Sequence, residues 1–309
     1  MIPTADTARA ALPFSSVSEL EAALREKKYV ADRGLATTLY LTLSMQKPLL
    51  LEGEAGVGKT EIAKVLADML GAPLIRLQCY EGLDASSAIY EWDYPRQMLF
   101  LRSLEAAGSL GTDQVRKDLF SEDFLLKRPL LQAIDAAHHQ SPVLLIDEVD
   151  RADDEFEAYL LEVLSEYQIT VPELGVFRAE IPPIVVLTSN RTRDVHDALK
   201  RRCLYHWVDH PSFEREVDIV RLRVPACSAG LAREIAAAVS AMRDLNLYKP
   251  PGVAETIDWA TALGRLGVAT LDDHAVATTL GAVLKYREDH QRVEQFGFAE
   301  IVKLATGRA

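Results

Sequence analysis

Eight residues carry the clearest chemistry in the chain. Gly53, Glu54, Ala55, Gly56, Val57, Gly58, Lys59 and Thr60 read GEAGVGKT, which fits the spacing G-x-x-x-x-G-K-[ST]. Glycines so spaced let backbone N–H groups turn inward and approach phosphate oxygens closely. A helix beginning at the lysine adds free N–H groups and a positive dipole end. In that geometry Lys59 reaches the β- and γ-phosphates of ATP, and the Thr60 hydroxyl binds Mg²⁺. Glu61, the next residue, completes the nucleotide-binding set.

A nucleotide alone does not specify a reaction, so a second acidic element is needed. Residues 143–148 read VLLIDE, an apolar run ending in two carboxylates. Side chains at the carboxyl end of a parallel strand face the ligand crevice. Asp147 there suits the Mg²⁺-associated acid beside Thr60, and Glu148 suits a general base that directs water at the γ-phosphate. Residues 188–190, TSN, end the next apolar run and place Asn190 to hydrogen-bond the attacking water or the γ-phosphate. The stretch DALKRRC brings Lys200, Arg201 and Arg202 together; it reads either as a solvated basic turn or as an arginine finger reaching a neighbouring subunit.

These residues need strands and helices to hold them. Residues 48–51 form a short apolar run of buried-strand type. After Thr60, the apolar residues Ile62, Val65, Leu66, Met69 and Leu70 share one helical face, and Gly71 and Pro73 supply a stop. Residues 18–27 and 33–45 read as helices behind a loose leader over residues 1–17. A second strand falls in residues 72–84. Residues 141–168 give strand, acidic end, then a helix with Phe156, Tyr159, Leu160, Val163 and Leu164 on one face. Residues 169–177 suggest a hairpin, and 181–190 and 203–211 two more strands.

After Pro211 the pattern turns helical, over 213–221, 231–244, 255–266, 271–286 and 296–304. Alternating strands and helices imply an α/β fold with a mostly parallel sheet covered on both faces. The division is therefore a leader and short helix over 1–28, an α/β core over 29–211 and an all-helical domain over 212–309.

Bulk properties narrow the function. The 309 residues carry 34 Lys and Arg against 46 Asp and Glu, a net charge of −12, which weighs against a general nucleic-acid surface. Apolar residues make up 49% and charged residues 26%, the mixture of a soluble globular protein. Cys79, Cys203 and Cys227 are widely separated with no C-x-x-C pair, so neither a zinc site nor a disulfide frame is implied and a reducing cytoplasm is expected. No run is long enough for a membrane span, and the N-terminus lacks a secretion pattern.

Together the motifs resemble the AAA+ ATPases and, within them, the MoxR family. GEAGVGKT matches Walker A, VLLIDE Walker B, LTSN sensor 1 and ALKRRC the arginine-finger turn, while ITVPELG resembles the hairpin before sensor 1. ALKRRCLYHWVDHP and KPPGVAETIDWA look closest to a branch associated with maturation of carbon monoxide dehydrogenase-type molybdenum enzymes. The resemblance implies a P-loop αβα sandwich with a five-stranded sheet, a small helical lid, and ATP in the crevice between them. It also implies a homo-hexameric ring, a partner with a von Willebrand A domain, and a metalloenzyme client into which a metal cofactor is inserted.

Two departures stand out. The familiar finger segment ends Asp-Arg-Phe, whereas this chain has Arg201-Arg202-Cys203; alignment gives Arg202 the finger position, with Arg201 able to substitute. The family's second sensor is an Arg near the start of a lid helix, but residues 250–259 contain none, and Lys249 and Arg265 only flank them.

Competing readings are a nucleic-acid-associated ring ATPase and a scaffold that binds ATP without hydrolysing it. Glu148 and Asn190 weigh against the scaffold. His138 and His139 read as a surface or capping pair, and Tyr90, Trp92 and Tyr94 as a buried satellite cluster or a client-gripping loop.

Overall fold

The computed structural model describes residues 14–106, 112–135 and 138–308. The leader read over residues 1–17 falls mostly outside them. The strands are β1 (Leu49–Gly53), β2 (Leu74–Gln78), β3 (Tyr90–Trp92), β4 (Leu125–Lys127), β5 (Val143–Asp147), β6 (Gln168–Val171), β7 (Gly175–Arg178), β8 (Ile184–Ser189) and β9 (Leu204–Val208). Helices in the first half are α1 (Val17–Glu26), α2 (Arg33–Met45), α3 (Lys59–Leu70), α4 (Ala85–Ile89), α5 (Tyr94–Ala106), α6 (Thr112–Leu119), α7 (Pro129–Ile134), α8 (Asp154–Glu166) and α9 (Asp197–Arg202). The C-terminal helices are α10 (Phe213–Arg223), α11 (Ala229–Arg243), α12 (Val253–Arg265), α13 (Asp273–Val283), α14 (Arg287–Phe296) and α15 (Phe298–Arg308).

Five strands form one sheet in the order β2-β5-β8-β1-β9. The pairings β2–β5, β5–β8 and β8–β1 are parallel. β1 and β5 are buried at every position, as continuous apolar runs in a sheet covered on both faces should be. β2, at one edge, is mostly exposed. Register then decides which side chains meet: Gln78 lies opposite Asp147, and Glu52 opposite Ser189. The polar strand ends therefore collect along one rim of the sheet.

Local signals account for the boundaries. Ser16 caps α1 by accepting from the Glu19 amide at 3.2 Å. α3 stops at Gly71, whose φ of +61° suits a left-handed cap, while Ala72 donates back to Ala67 at 2.9 Å. Two antiparallel ribbons stand beside the main sheet, β3–β4 and the expected hairpin β6–β7. In the segment between β2 and β5, Trp92 is buried in T-shaped contact with Phe120 at 5.1 Å, whereas Tyr94 is exposed. The satellite-cluster reading thus holds for Trp92 and not for Tyr94.

The chain divides into two compact units. One contains Thr37–Glu52 and Leu66–His206; the other contains Ser16–Ala36, Gly53–Val65 and Trp207–Ala309. The first has its core around Leu50, Ile146, Phe156, Leu160 and Leu187. The second centres on α11, which buries residues around most of its circumference, packed with Trp259, Leu280, Val293 and Ile301. Here the sequence expectation needs correction. The helix read over 271–286 ends at Val283, and α14 follows as a separate element. α14 buries only Asp289 and Val293, too few positions to show an apolar period.

One buried ion pair ties three helices of this second unit. Glu216 on α10 takes two bonds from Arg243 on α11, at 2.7 and 2.8 Å, and a third from Thr256 on α12 at 2.8 Å. Arg243 also donates to the Pro251 carbonyl at 2.8 Å, which fixes the turn leading into α12. Glu216 is 1% exposed, so removing its partner strands a charge. Arg243→Met should cost roughly 3–5 kcal/mol in guanidinium unfolding. A loss below about 1 kcal/mol would show that the pair contributes little to stability.

Candidate active site

The glycine-rich loop belongs to the second unit. β1 delivers the chain to Gly53, and α3 begins at Lys59, so the strand–loop–helix context expected from the sequence is present. Gly56 has φ of +82°, a region that favours glycine and lets successive N–H groups face inward. Lys59 is buried and folds onto its own loop, donating to the carbonyls of Gly53 at 2.8 Å and Glu54 at 2.6 Å. Its ammonium is thereby held inside the loop. Thr60 occupies the first turn of α3, and Val57 is packed inward.

Glu61 does not join the loop. It pairs with Arg223 at 3.0 Å and Lys64 at 3.3 Å. Burial raises its carboxyl, but hydrogen bonds and charge from Arg223 and Lys64 outweigh burial and hold it below the usual carboxylate range. Glu54 instead meets His210 at 3.1 Å.

The acidic elements belong to the first unit and are brought together there. Asp147, at the end of β5, is 4% exposed. It accepts from Thr188 Oγ1 at 2.6 Å and from Arg76 Nη2 at 2.5 Å. The same Thr188 hydroxyl accepts from the Glu148 amide at 2.9 Å. Glu148 sits in the left-handed region, φ 55° and ψ 51°, a conformation that costs a non-glycine residue about 1–3 kcal/mol and persists only when its surroundings fix it. Its Oε1 accepts from Asn190 Nδ2 at 3.4 Å and its Oε2 from Arg151 at 3.3 Å. Glu148 and Asn190 line one cleft of about 500 Å³ together with Glu81, Asp150 and Arg193.

Three groups that organise this half escaped the sequence reading. Asp150, 1% exposed, accepts from the Asn190 amide at 3.2 Å, the Thr192 amide at 2.8 Å and the Thr192 hydroxyl at 2.7 Å. It pins the loop that carries Asn190. Glu157, fully buried on α8, accepts from the His196 amide at 2.7 Å and pairs with Arg193. Arg76 supplies the cation on Asp147. Asp150 and Glu157 lie in the acidic run DEVDRADDEFE, where solvated carboxylates at a helix start are the ordinary expectation. An alternating edge strand gives Arg76 no signal.

This order of parts agrees with a family comparison. Residues 48–203, about half of the chain, match the model of the AAA domain, dynein-related subfamily. The chain belongs to that family. A point variant of RuvB from Thermotoga maritima has a similar fold, with a TM-score of 0.50 at 16% identity over 86% of this chain and 73% of that one. An uncharacterized protein of Staphylococcus aureus is 26% identical over 172 residues, covering 54% of this chain and 57% of its own length. A second, from Staphylococcus saprophyticus, is 24% identical over 185 residues, covering 58% and 62%. The chain thus spans rather more than half the length of these relatives. Among the described residues no helix is long and apolar enough to cross a membrane.

The AAA core turns its remaining cations in different directions. Arg202 docks against the Leu161 carbonyl and the Ser165 hydroxyl on α8. Arg201 is 79% exposed and pairs with its i−4 neighbour Asp197 at 2.7 Å. Lys200 lies 3.5 Å from Glu52, whose carboxylate also accepts from Tyr205 at 3.1 Å.

Taken separately, the glycine-rich turn, lysine and helix-start threonine of the second unit are the donor types of a phosphate-binding loop, and the buried aspartate of the first is of a type that ligates magnesium. Burial pushes the Cys79 thiol up to about 12, and the carboxylates of Asp147, Asp150, Glu157 and Glu148 push in the same direction. Cys203 is also raised to about 12, by burial.

Two outcomes follow. A raised thiol pKa means less thiolate at any given pH, so Cys79 and Cys203 should resist iodoacetamide at about pH 8.5 and react on unfolding. Fast native labelling, located by peptide mass mapping, would contradict these environments. Thr188→Val keeps the shape but orphans the Glu148 amide and one Asp147 contact, and should cost about 1–3 kcal/mol in chemical denaturation. An unchanged midpoint would remove Thr188 from its bridging role.

Proposed function

We propose that the chain is a Mg²⁺-dependent ATPase of MoxR type that remodels a client metalloenzyme. The observation that carries hydrolysis is the arrangement of Asp147, Thr188, Glu148 and Asn190. The base candidate is held in a strained backbone conformation, within hydrogen-bonding distance of the sensor-type amide and facing a cleft.

In this reading the backbone amides of the 53–60 loop bind the β- and γ-phosphates, and Lys59 stabilises charge developing on the phosphoryl group. Thr60 and Asp147 are the residues that would hold Mg²⁺, which would supply neutralisation of phosphate charge. Glu148 orients and deprotonates the attacking water, and Asn190 fixes its position. A ring of like subunits, hexameric by resemblance, brings a cation in trans. Arg202 is committed to α8 whereas Arg201 is exposed, which supports Arg201 as that cation.

The client reading rests on the sequence resemblance, supported by the β6–β7 hairpin following α8. It gives the ring a partner bearing a von Willebrand A domain and a client such as a molybdenum hydroxylase or carbon monoxide dehydrogenase. The widely spaced cysteines support a cytoplasmic setting, and lid helices from residue 212 onward couple nucleotide state to client movement.

Steady-state phosphate release tests the proposal. Glu148→Gln should lose about 10²–10⁴-fold in turnover while still binding ATP, and Lys59→Ala should lose binding itself. Arg201→Ala should abolish turnover without dissociating the ATP-dependent oligomer seen by light scattering. Stimulation by DNA, with none by a von Willebrand A partner, would replace the chaperone reading with that of a nucleic-acid motor. Binding without turnover, with or without that partner, would leave a scaffold.

A further inference from the structure

The turn into α12 stands directly against the glycine-rich loop, within the same unit. The Ala254 amide donates to the Gly56 carbonyl at 3.2 Å. A Cβ placed on Gly252 would stand 2.8 Å from the Gly56 carbonyl carbon and 2.9 Å from its Cα. Only glycine permits so close a backbone approach. The same contact brings a carboxylate to the loop: a Cβ placed on Gly56 would lie 2.8 Å from Oε2 of Glu255. That oxygen accepts from the Gly252 amide at 3.0 Å, which fixes its position. The turn is anchored in turn by Arg243 on the Pro251 carbonyl and by Thr256 on Glu216. The loop is thus flanked, at its central glycine, by a fixed negative charge.

A residue needed only to cap α12 would not have to be charged, since a glutamine at the third helical position accepts the same bond. A carboxylate close to a phosphate-binding turn opposes the phosphates it is built to hold. We propose that Glu255 sets the rate at which nucleotide leaves the loop: its carboxylate, clamped beside Gly56, repels the bound phosphates and speeds product release. The inference deepens the nucleotide-binding reading and rests on it. Glu255 acts through charge on the loop and is a positioning residue, not a catalytic one.

The test is displacement of a fluorescent ADP analogue from the full chain, followed by stopped flow at low and high salt. Glu255→Gln keeps the cap, so its melting temperature should match the wild type. Its analogue should dissociate about tenfold more slowly at low salt, equivalent to about 1.4 kcal/mol. The gap should shrink at high salt, as screening requires. Glu255→Asp keeps the charge and should stay within about threefold of the wild type. Dissociation from the Gln variant that is unchanged or faster would overturn the inference, as would equal slowing in both variants. If the wild type shows no Lys59-dependent binding of the analogue, the nucleotide reading fails and the inference with it. If it binds and the Gln variant behaves identically, only the role of Glu255 is lost.

Discussion

A single hydroxyl organises the acidic cluster of the first unit. Thr188 Oγ1 accepts from the backbone of Glu148 and donates to the side chain of Asp147, so one atom fixes the two acids relative to each other. It can do so because β8 lies beside β5 in parallel register, with Ile146 opposite Leu187. The next residue on each strand then stands at the rim. The strained backbone of Glu148 depends on this bond, and so does the direction in which its carboxylate points. A sheet of any other order would separate these three residues, however well each strand was packed.

The second unit relies on a different device. Its loop is tied through its own backbone to the start of α12, and that start is held by the buried Glu216–Arg243 pair. The ion pair need not add net stability to matter here. Its three bonds specify where the turn at residues 251–252 lies, and that turn meets Gly56. Helices far along the chain thereby set the surroundings of a loop that forms near its beginning.

Much of this was legible before any coordinates. The three inner strands of the sheet announce themselves as apolar runs that lead into Gly53, Asp147 and Asn190, because a buried parallel strand leaves little room for polar residues except at its end. α3, α8 and most of the C-terminal helices show an apolar face. What sequence could not show was partnership. Asp150 and Glu157 sit in an acidic run that looks solvated, yet each is buried because a distant loop supplies its donors. Arg76 pairs with Asp147 across 71 residues. α14 was missed because a helix that buries two side chains has no period to detect. Glu255 was passed over because a helix-start glutamate is ordinary until the loop beside it is known.

The carboxylates of Asp147, Glu148, Asp150 and Glu157 also show why only one of them suits a mobile role. Asp147 is bound at 2.5 and 2.6 Å, Asp150 takes two of its three bonds at 2.7 and 2.8 Å, and Glu157 accepts an amide at 2.7 Å and pairs with Arg193. Each is buried, so moving any of them would strand a charge or several donors at a cost of several kcal/mol, roughly. Glu148 differs on both counts. Its side chain is 32% exposed, and its contacts, at 3.3 and 3.4 Å, are the longest of the group. Bonds of that length add little and break readily. The backbone of Glu148 is therefore rigid while its carboxylate is loosely held. That combination suits the general-base role proposed for Glu148, and the neighbouring acids, by being fixed, supply the frame in which its carboxylate moves.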